Sequence, residues 1–323
     1  MSSEPPAPPS AAWPEPAPPA VRETRWRGAL ASLAIGVGAG LLGLAPWILT
    51  GMRLPLQNLW AFDALPEQMP VAWLPLSQYD VTFVLGILVV GGAAAGVAAR
   101  ALRDRLPRAA PFSVAAGLLF VQVVATAQAV DVLRSGLRAG GEAAFYLGAC
   151  VAVAVLGILG GLLVFGLVAR GPVPAAVVAL VVAAIATGWW ISGALGTLGP
   201  LSPLPYALAT LATWTPPVLA GVAIAWGGIR TARRVVAAVV GLVLLWVLPA
   251  LATAVQSAVG SRALLRSPGE LLDYAWSVFR AAVTMPELVL PRLAVALVVA
   301  AVGVAGTVVW RRVAAERRRS STA

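Results

Sequence analysis

Long apolar stretches recur along this chain, separated by connections that hold most of its polar residues. Eight stretches approach or exceed the ~20 residues that a helix needs to cross a bilayer. They cover residues 29–50, 81–99, 111–130, 143–169, 173–191, 206–228, 235–260 and 291–310. The pattern predicts an all-α, polytopic membrane bundle of about eight transmembrane helices. Inside the spans, small residues recur four apart, as at Gly36 and Gly40, Gly92 and Gly96, and Gly157 and Gly161. Such spacing lets helix backbones approach closely.

Two connections are much longer than the rest and mix apolar with polar residues. Residues 51–80 carry Leu56, Leu59, Trp60, Phe62, Trp73 and Leu74 among four prolines. A short interfacial helix around 55–65, followed by an extended surface-hugging segment, fits that mixture. In residues 261–290, Ser267-Pro268-Gly269-Glu270 reads as a capping box with proline at the first helical position. Leu271, Leu272, Ala275, Trp276, Phe279 and Ala282 then share one helical face. That predicts an amphipathic helix on the membrane surface or over the mouth of the bundle. Residues 131–142 read as a short polar loop, as do 192–205.

The termini differ from the middle. Residues 1–28 form a Pro-rich tail predicted to be disordered. Residues 311–323 form a basic tail suited to anionic lipid. Residues 29–310 are the membrane domain between them.

Charge adds orientation. Only 11% of the residues are charged and 60% are hydrophobic, far from the ~25% charged residues of soluble domains. All 23 basic residues are arginine. With both termini in the cytoplasm, sixteen arginines fall inside, and the seven outside are Arg53, Arg134, Arg138, Arg262, Arg266, Arg280 and Arg292. Every arginine-dense short connection then lies on one side, as the positive-inside rule requires. Both long connections lie outside. Absence of lysine beside abundant Ala, Gly, Pro and Arg points to a GC-rich bacterial genome, hence the cell membrane. The +10 formal charge invites a nucleic-acid partner, but no folded basic domain presents the arginines. The lipid bilayer is the expected partner, with a membrane protein as a further one.

Little in the sequence supports catalysis. Histidine is absent, and Cys150 is the single cysteine. Histidine-based metal sites and His-dependent triads are therefore excluded, and no cofactor fingerprint is present. The five outer charges Asp80, Asp131, Arg134, Arg138 and Glu142 are candidates for a mouth cluster, or else solvated loop charge.

The most irregular backbone is expected at Thr213-Trp214-Thr215-Pro216-Pro217, inside the sixth span. Each proline removes a donor and crowds the carbonyl four residues earlier. Thr213 and Thr215 are placed to satisfy freed carbonyls. Broken helices near the midplane often carry transport sites. Trp246 and Pro249 lie in the neighbouring span with Gln256. Together these eight residues form a candidate substrate or gating site, against the plainer reading of a packed kink. Gln122, Gln128 and Gln256 read as interhelical hydrogen-bond partners. With no ionisable residue deep in a span, the site is expected to take neutral or carbonyl-coordinated ligands.

Three functions remain open on these grounds. The leading one is a non-enzymatic accessory or scaffolding component of the bacterial envelope, with a filled bundle. The alternative is a permease for a small neutral or lipid-like solute, with a cavity reaching Pro216. The third is an envelope enzyme whose outer carboxylates and arginines converge.

Overall fold

The computed structural model describes residues 19–196, 204–261 and 267–320. Residues 1–18 of the Pro-rich tail, residues 197–203, residues 262–266 with Arg262 and Arg266, and the last three residues lie outside the described residues. Nine α-helices are described: α1 Pro19–Leu49, α2 Val81–Ala101, α3 Ala110–Gly136, α4 Gly141–Arg170, α5 Val173–Gly196, α6 Leu204–Gly227, α7 Ala232–Gly260, α8 Pro268–Val283 and α9 Pro286–Ser320. All but α8 are long and apolar enough to cross a membrane. The fold is the all-helical polytopic bundle that the hydropathy pattern predicts.

Several helices overrun their predicted bounds. α1 starts at Pro19, so part of the predicted tail is helical, and α9 carries the basic C-terminal segment as helix to Ser320. α3 runs to Gly136, which puts Asp131 and Arg134 on a helix; only 137–140 remain as a loop before α4. α5 continues through 192–196. The common reason is that polar residues beyond the hydrocarbon do not stop a helix whose backbone bonds are already formed.

α2 and α5 form the central seam. α2 packs against α1 and α4, α5 packs against α6 and α7, α3 lies on α1, and α9 lies on α6. The α2–α4 contact is close because glycines face each other. A methyl group added at Gly92 would overlap the Gly161 carbonyl oxygen, and one at Gly161 would lie 2.6 Å from the Leu88 oxygen. At Gly36 an added methyl would overlap the Val114 oxygen, which seats α1 on α3. Gln122 donates from α3 to the Leu88 carbonyl on α2 at 2.8 Å, a buried interhelical bond as predicted.

The 51–80 connection is a plug, not a surface strap. No helix forms at 55–65, and the segment's one described helical turn is the 3₁₀ turn Pro66–Gln68. Positive φ at Gly51 and Met52 folds the chain back on itself after α1. Leu54 N–H then donates to Pro70 O at 2.9 Å and Ala72 N–H to Met52 O at 2.8 Å. Gln128 grips the same segment, accepting from Trp73 N–H and donating to Val71 O. Trp47 donates from Nε1 to Ala72 O at 2.8 Å. Leu54, Met69, Leu74 and Leu76 are at most 1% exposed and sit among α1, α2, α3 and α4 side chains. Burial of each such side chain stabilises by roughly 1.5–3 kcal/mol. The prolines explain the form: they deny the segment a helix, and its apolar residues are buried instead.

At the opposite end, arginines tie the helix termini. Arg100 donates to the carbonyls of Val168 and Gly171 and stacks over Trp226 at 5.1 Å. Arg170 donates to the Arg108 carbonyl at 3.0 Å and sits over Phe112 at 4.7 Å. The last carbonyls of a helix lack intrahelical donors, and the Arg100 guanidinium supplies them at the end of α4.

α8 lies along α7 and lines neither of the two cavities described below. Its helix begins at Pro268 as predicted, but Ser267 makes no side-chain cap bond. Leu271, Ala275, Val278, Phe279 and Ala282 are half-buried, while Leu272 and Trp276 are exposed. The packed face is thus rotated from the predicted one, because α7 rather than a flat lipid surface is what it meets.

Candidate functional site

The proline pair does not break its helix. α6 is continuous from Leu204 to Gly227 with Pro216 and Pro217 inside it. The prolines leave the Ala212 and Thr213 carbonyls without their usual donors. The threonine hydroxyls do not serve those carbonyls. Thr213 Oγ1 donates to Ala209 O at 2.9 Å, and Thr215 Oγ1 to Leu211 O at 2.6 Å. A helical threonine reaches the carbonyl one turn back, four residues earlier, and that geometry overrides the predicted role. What meets the prolines is Gly188 on α5. A methyl group there would lie 2.6 Å from Pro216 Cγ and 3.3 Å from the Ala212 oxygen.

Beside this contact lies a cavity of about 600 Å³. Its walls are α5 with Gly188, Trp189 and Ser192, α6 with Ala209, Thr213 and Pro216, and α7 with Pro249, Thr253, Gln256 and Ser257. Thr82 of α2 and Arg292 of α9 complete it. The space exists because α6 and α7 are held mainly by other helices, α6 by α5 and α9, α7 by α5 and α8. Its volume falls in the ~300–1,000 Å³ range of small-molecule sites.

A second cavity of about 700 Å³ lies under the 51–80 plug, against Trp47, Arg53, Glu67, Tyr79 and Asp80. Both cavities are lined by Thr82, Trp189, Ser192 and Gln256. Gln256 ties the partition. Its Oε1 accepts from Thr82 Oγ1 at 2.9 Å, and its Nε2 donates to the Tyr79 carbonyl. The predicted interhelical role of Gln256 is therefore what joins α7 to the start of α2.

Of the eight predicted site residues, Thr213, Pro216, Pro249 and Gln256 meet at the first cavity. Trp214, Thr215, Pro217 and Trp246 do not line it. Trp214 is 37% exposed on the outside of α6. Trp246 instead donates from Nε1 to the Val283 carbonyl at 3.0 Å, holding the end of α8 to the middle of α7.

The outer charges do not gather. Of the five, Asp80 lines the second cavity and the other four line neither of the two described. Arg138, in the loop before α4, pairs with Glu142 in the first turn of α4 at 3.0 Å, both side chains exposed. Asp131 and Arg134 are exposed on α3. Burial pushes the Asp80 carboxyl up from 3.8 to about 6, against a smaller opposing hydrogen bond from Ser77.

Sequence reasoning missed Thr82, Gly188, Trp189, Ser192, Thr253, Ser257 and Arg292. Trp189 and Trp190 read as interfacial when α5 is ended at 191. With the helix continuing to Gly196 they sit deeper, and Trp190 donates to the Gly43 carbonyl at 2.7 Å. Arg292 reads as an external flank, but α9 begins at Pro286, which puts it within the helix and at the wall of the first cavity. The available signal was Pro286-Glu287, a helix-starting pair ahead of the predicted span. Comparison with known protein families, with curated proteins and with solved structures gives no match for this chain.

Proposed function

We propose that this multi-pass membrane protein binds and passes a small solute through the cavity walled by α5, α6 and α7. One observation carries the reading. The α1–α4 half packs the 51–80 plug into its core beside a second space, and α5, α6 and α7 line an accessible space of about 600 Å³ that reaches Pro216. A scaffold needs no such void, since interior space forfeits dispersion contacts. The cavity carries polar groups from several helices and a second space abuts it, as a solute path requires. The reading departs from the accessory role that composition favours, and it has no catalytic step. The clustering of Arg100, Arg103, Arg105, Arg108, Arg170, Arg230, Arg233 and Arg234 in short connections supports a cytoplasmic face there, with both termini inside a bacterial cell membrane.

The test is accumulation in proteoliposomes. Vesicles carrying the wild-type chain or Ser257→Trp are incubated in a complex culture extract, and their contents are compared by mass spectrometry. The expected result is at least one solute enriched in wild-type vesicles and absent from Ser257→Trp and protein-free vesicles. Identical contents in all three would refute the proposal.

A further inference from the structure

The first cavity holds one fixed charge. Arg292 lines it from α9, in company with Ser192 and Ser257. Its position is unusual for an arginine. It lies six residues, about 9 Å at the α-helical rise, past the start of a helix long and apolar enough to cross the membrane. Such residues are expensive in hydrocarbon and normally face a partner or a water-filled space. Arg292 is half-buried and makes no hydrogen bond or ion pair among the described residues. The guanidinium is thus unengaged at the cavity wall, with N–H donors to spare for an occupant.

The other polar groups favour the same kind of occupant. Thr82, Thr213 and Thr253 spend their protons on Gln256, Ala209 and Pro249. Ser192 and Ser257 have no partner among the described residues, so their hydroxyls remain able to donate. No carboxylate lines this cavity among the described residues. Asp80 lies in the second cavity, beyond the Thr82–Gln256 bond. The donors available to a ligand therefore include one cation and two hydroxyls, with no carboxylate among the described lining residues to compete.

We propose that this cavity is an oxyanion site in which Arg292 binds a carboxylate or phosphate group, assisted by Ser192 and Ser257. The assignment deepens the solute reading of the same cavity and rests on it. It replaces the neutral ligand expected from a charge-free span. Bidentate guanidinium–oxyanion pairing is geometrically specific and charge-assisted, so Arg292 determines ligand class while the apolar walls accept the remainder. Water-soluble anions and anionic lipid headgroups share this chemistry.

The experiment separates those sources. The purified full-length chain is titrated in neutral detergent at constant ionic strength with inorganic phosphate, with dioctanoyl phosphatidylglycerol and with neutral dioctanoylglycerol. Thermal unfolding midpoints are followed for wild type, Arg292→Gln, Arg292→Lys and Ser192→Ala/Ser257→Ala. The expected result is saturable stabilisation by at least one phosphate-bearing probe. Apparent affinity should fall tenfold or more in Arg292→Gln, with partial retention in Arg292→Lys and a smaller loss in the serine double variant. Stabilisation by phosphate alone assigns a soluble anion, and by phosphatidylglycerol alone a lipid headgroup. Equal affinity in wild type and Arg292→Gln would overturn the proposal. So would a wild type indifferent to both phosphate probes. Saturable binding of dioctanoylglycerol, insensitive to Arg292→Gln but lost in Ser257→Trp, would overturn the charge assignment and leave the solute reading standing. The vesicle assay decides that reading separately. Should Arg292→Gln fail to fold, the lysine and serine variants carry the same comparison.

Discussion

Replacing Asp80 with asparagine should stabilise this protein, and only at higher pH. Asp80 precedes α2 and lines the outer cavity, where burial raises its carboxyl from 3.8 to about 6. The folded chain therefore keeps the Asp80 proton up to about pH 6, whereas the unfolded chain releases it near the ordinary value. Between those limits the folded state binds more protons, so stability falls as pH rises. The penalty is complete above the folded value. At 1.36 kcal/mol per pH unit, the gap is worth about 3 kcal/mol. An asparagine side chain keeps the shape and removes the charge that burial disfavours. The assay is thermal unfolding of wild type and Asp80→Asn in neutral detergent at about pH 4 and about pH 8, on either side of the folded value. At the acidic pH the two midpoints should nearly coincide. At the alkaline pH the variant should unfold several degrees higher, at roughly 2 °C per kcal/mol for a chain of this size. A variant that is equally shifted at both pH values, or destabilised at the alkaline one, would show that the carboxylate is well paired in the fold, and the burial argument would fail.

Other perturbations follow from single contacts. Gly92→Leu forces a side chain against the Gly161 backbone and should lower stability by about 1–3 kcal/mol or more, read as loss of monodisperse protein on size-exclusion chromatography. Trp246→Phe removes the bond to Val283, and hydrogen exchange should accelerate at the end of α8 while α7 stays protected. Gln256→Ala deletes bonds to Thr82 and Tyr79, at about 0.5–1.5 kcal/mol each, and should raise labelling of a Ser257→Cys thiol by a water-soluble maleimide. Pro216→Ala/Pro217→Ala restores two backbone donors in a helix that is already continuous. It should leave helicity by circular dichroism unchanged, and a large gain would contradict the unbroken α6.

The spans are readable from sequence because the requirement behind them is one-dimensional. Enough apolar length must cover the hydrocarbon, and length is written directly in the chain. Glycines such as Gly92 and Gly161 are readable for a related reason, since their spacing repeats the helical turn. Connection 51–80 is not, because its form depends on which pocket accepts Leu54, Met69, Leu74 and Leu76, and pockets are made by four distant segments. The cavity is half legible. Pro216 and Gln256 announce themselves as exceptions within apolar runs. Thr253, Ser192 and Ser257 look like ordinary small residues until α5, α6 and α7 are set around one space. Arg292 is hidden by a boundary: with the helix starting at Pro286 rather than 291, it lies within the helix and beside the cavity instead of at the helix start.

The contrast between the two sides of the α2–α5 seam has a mechanical meaning. On one side, the apolar side chains of the plug are buried among α1, α2, α3 and α4, and glycines seat those helices backbone to backbone. On the other, α6 and α7 face a void and lean on α9 and α8. A squeeze from the surrounding lipid should therefore be absorbed unequally, with the plug-packed helices as the stiffer part and α6 and α7 as the part that yields. Membrane thickness and lateral pressure then become control variables for the size of the chamber, and the composition of the bilayer becomes part of how this molecule is set.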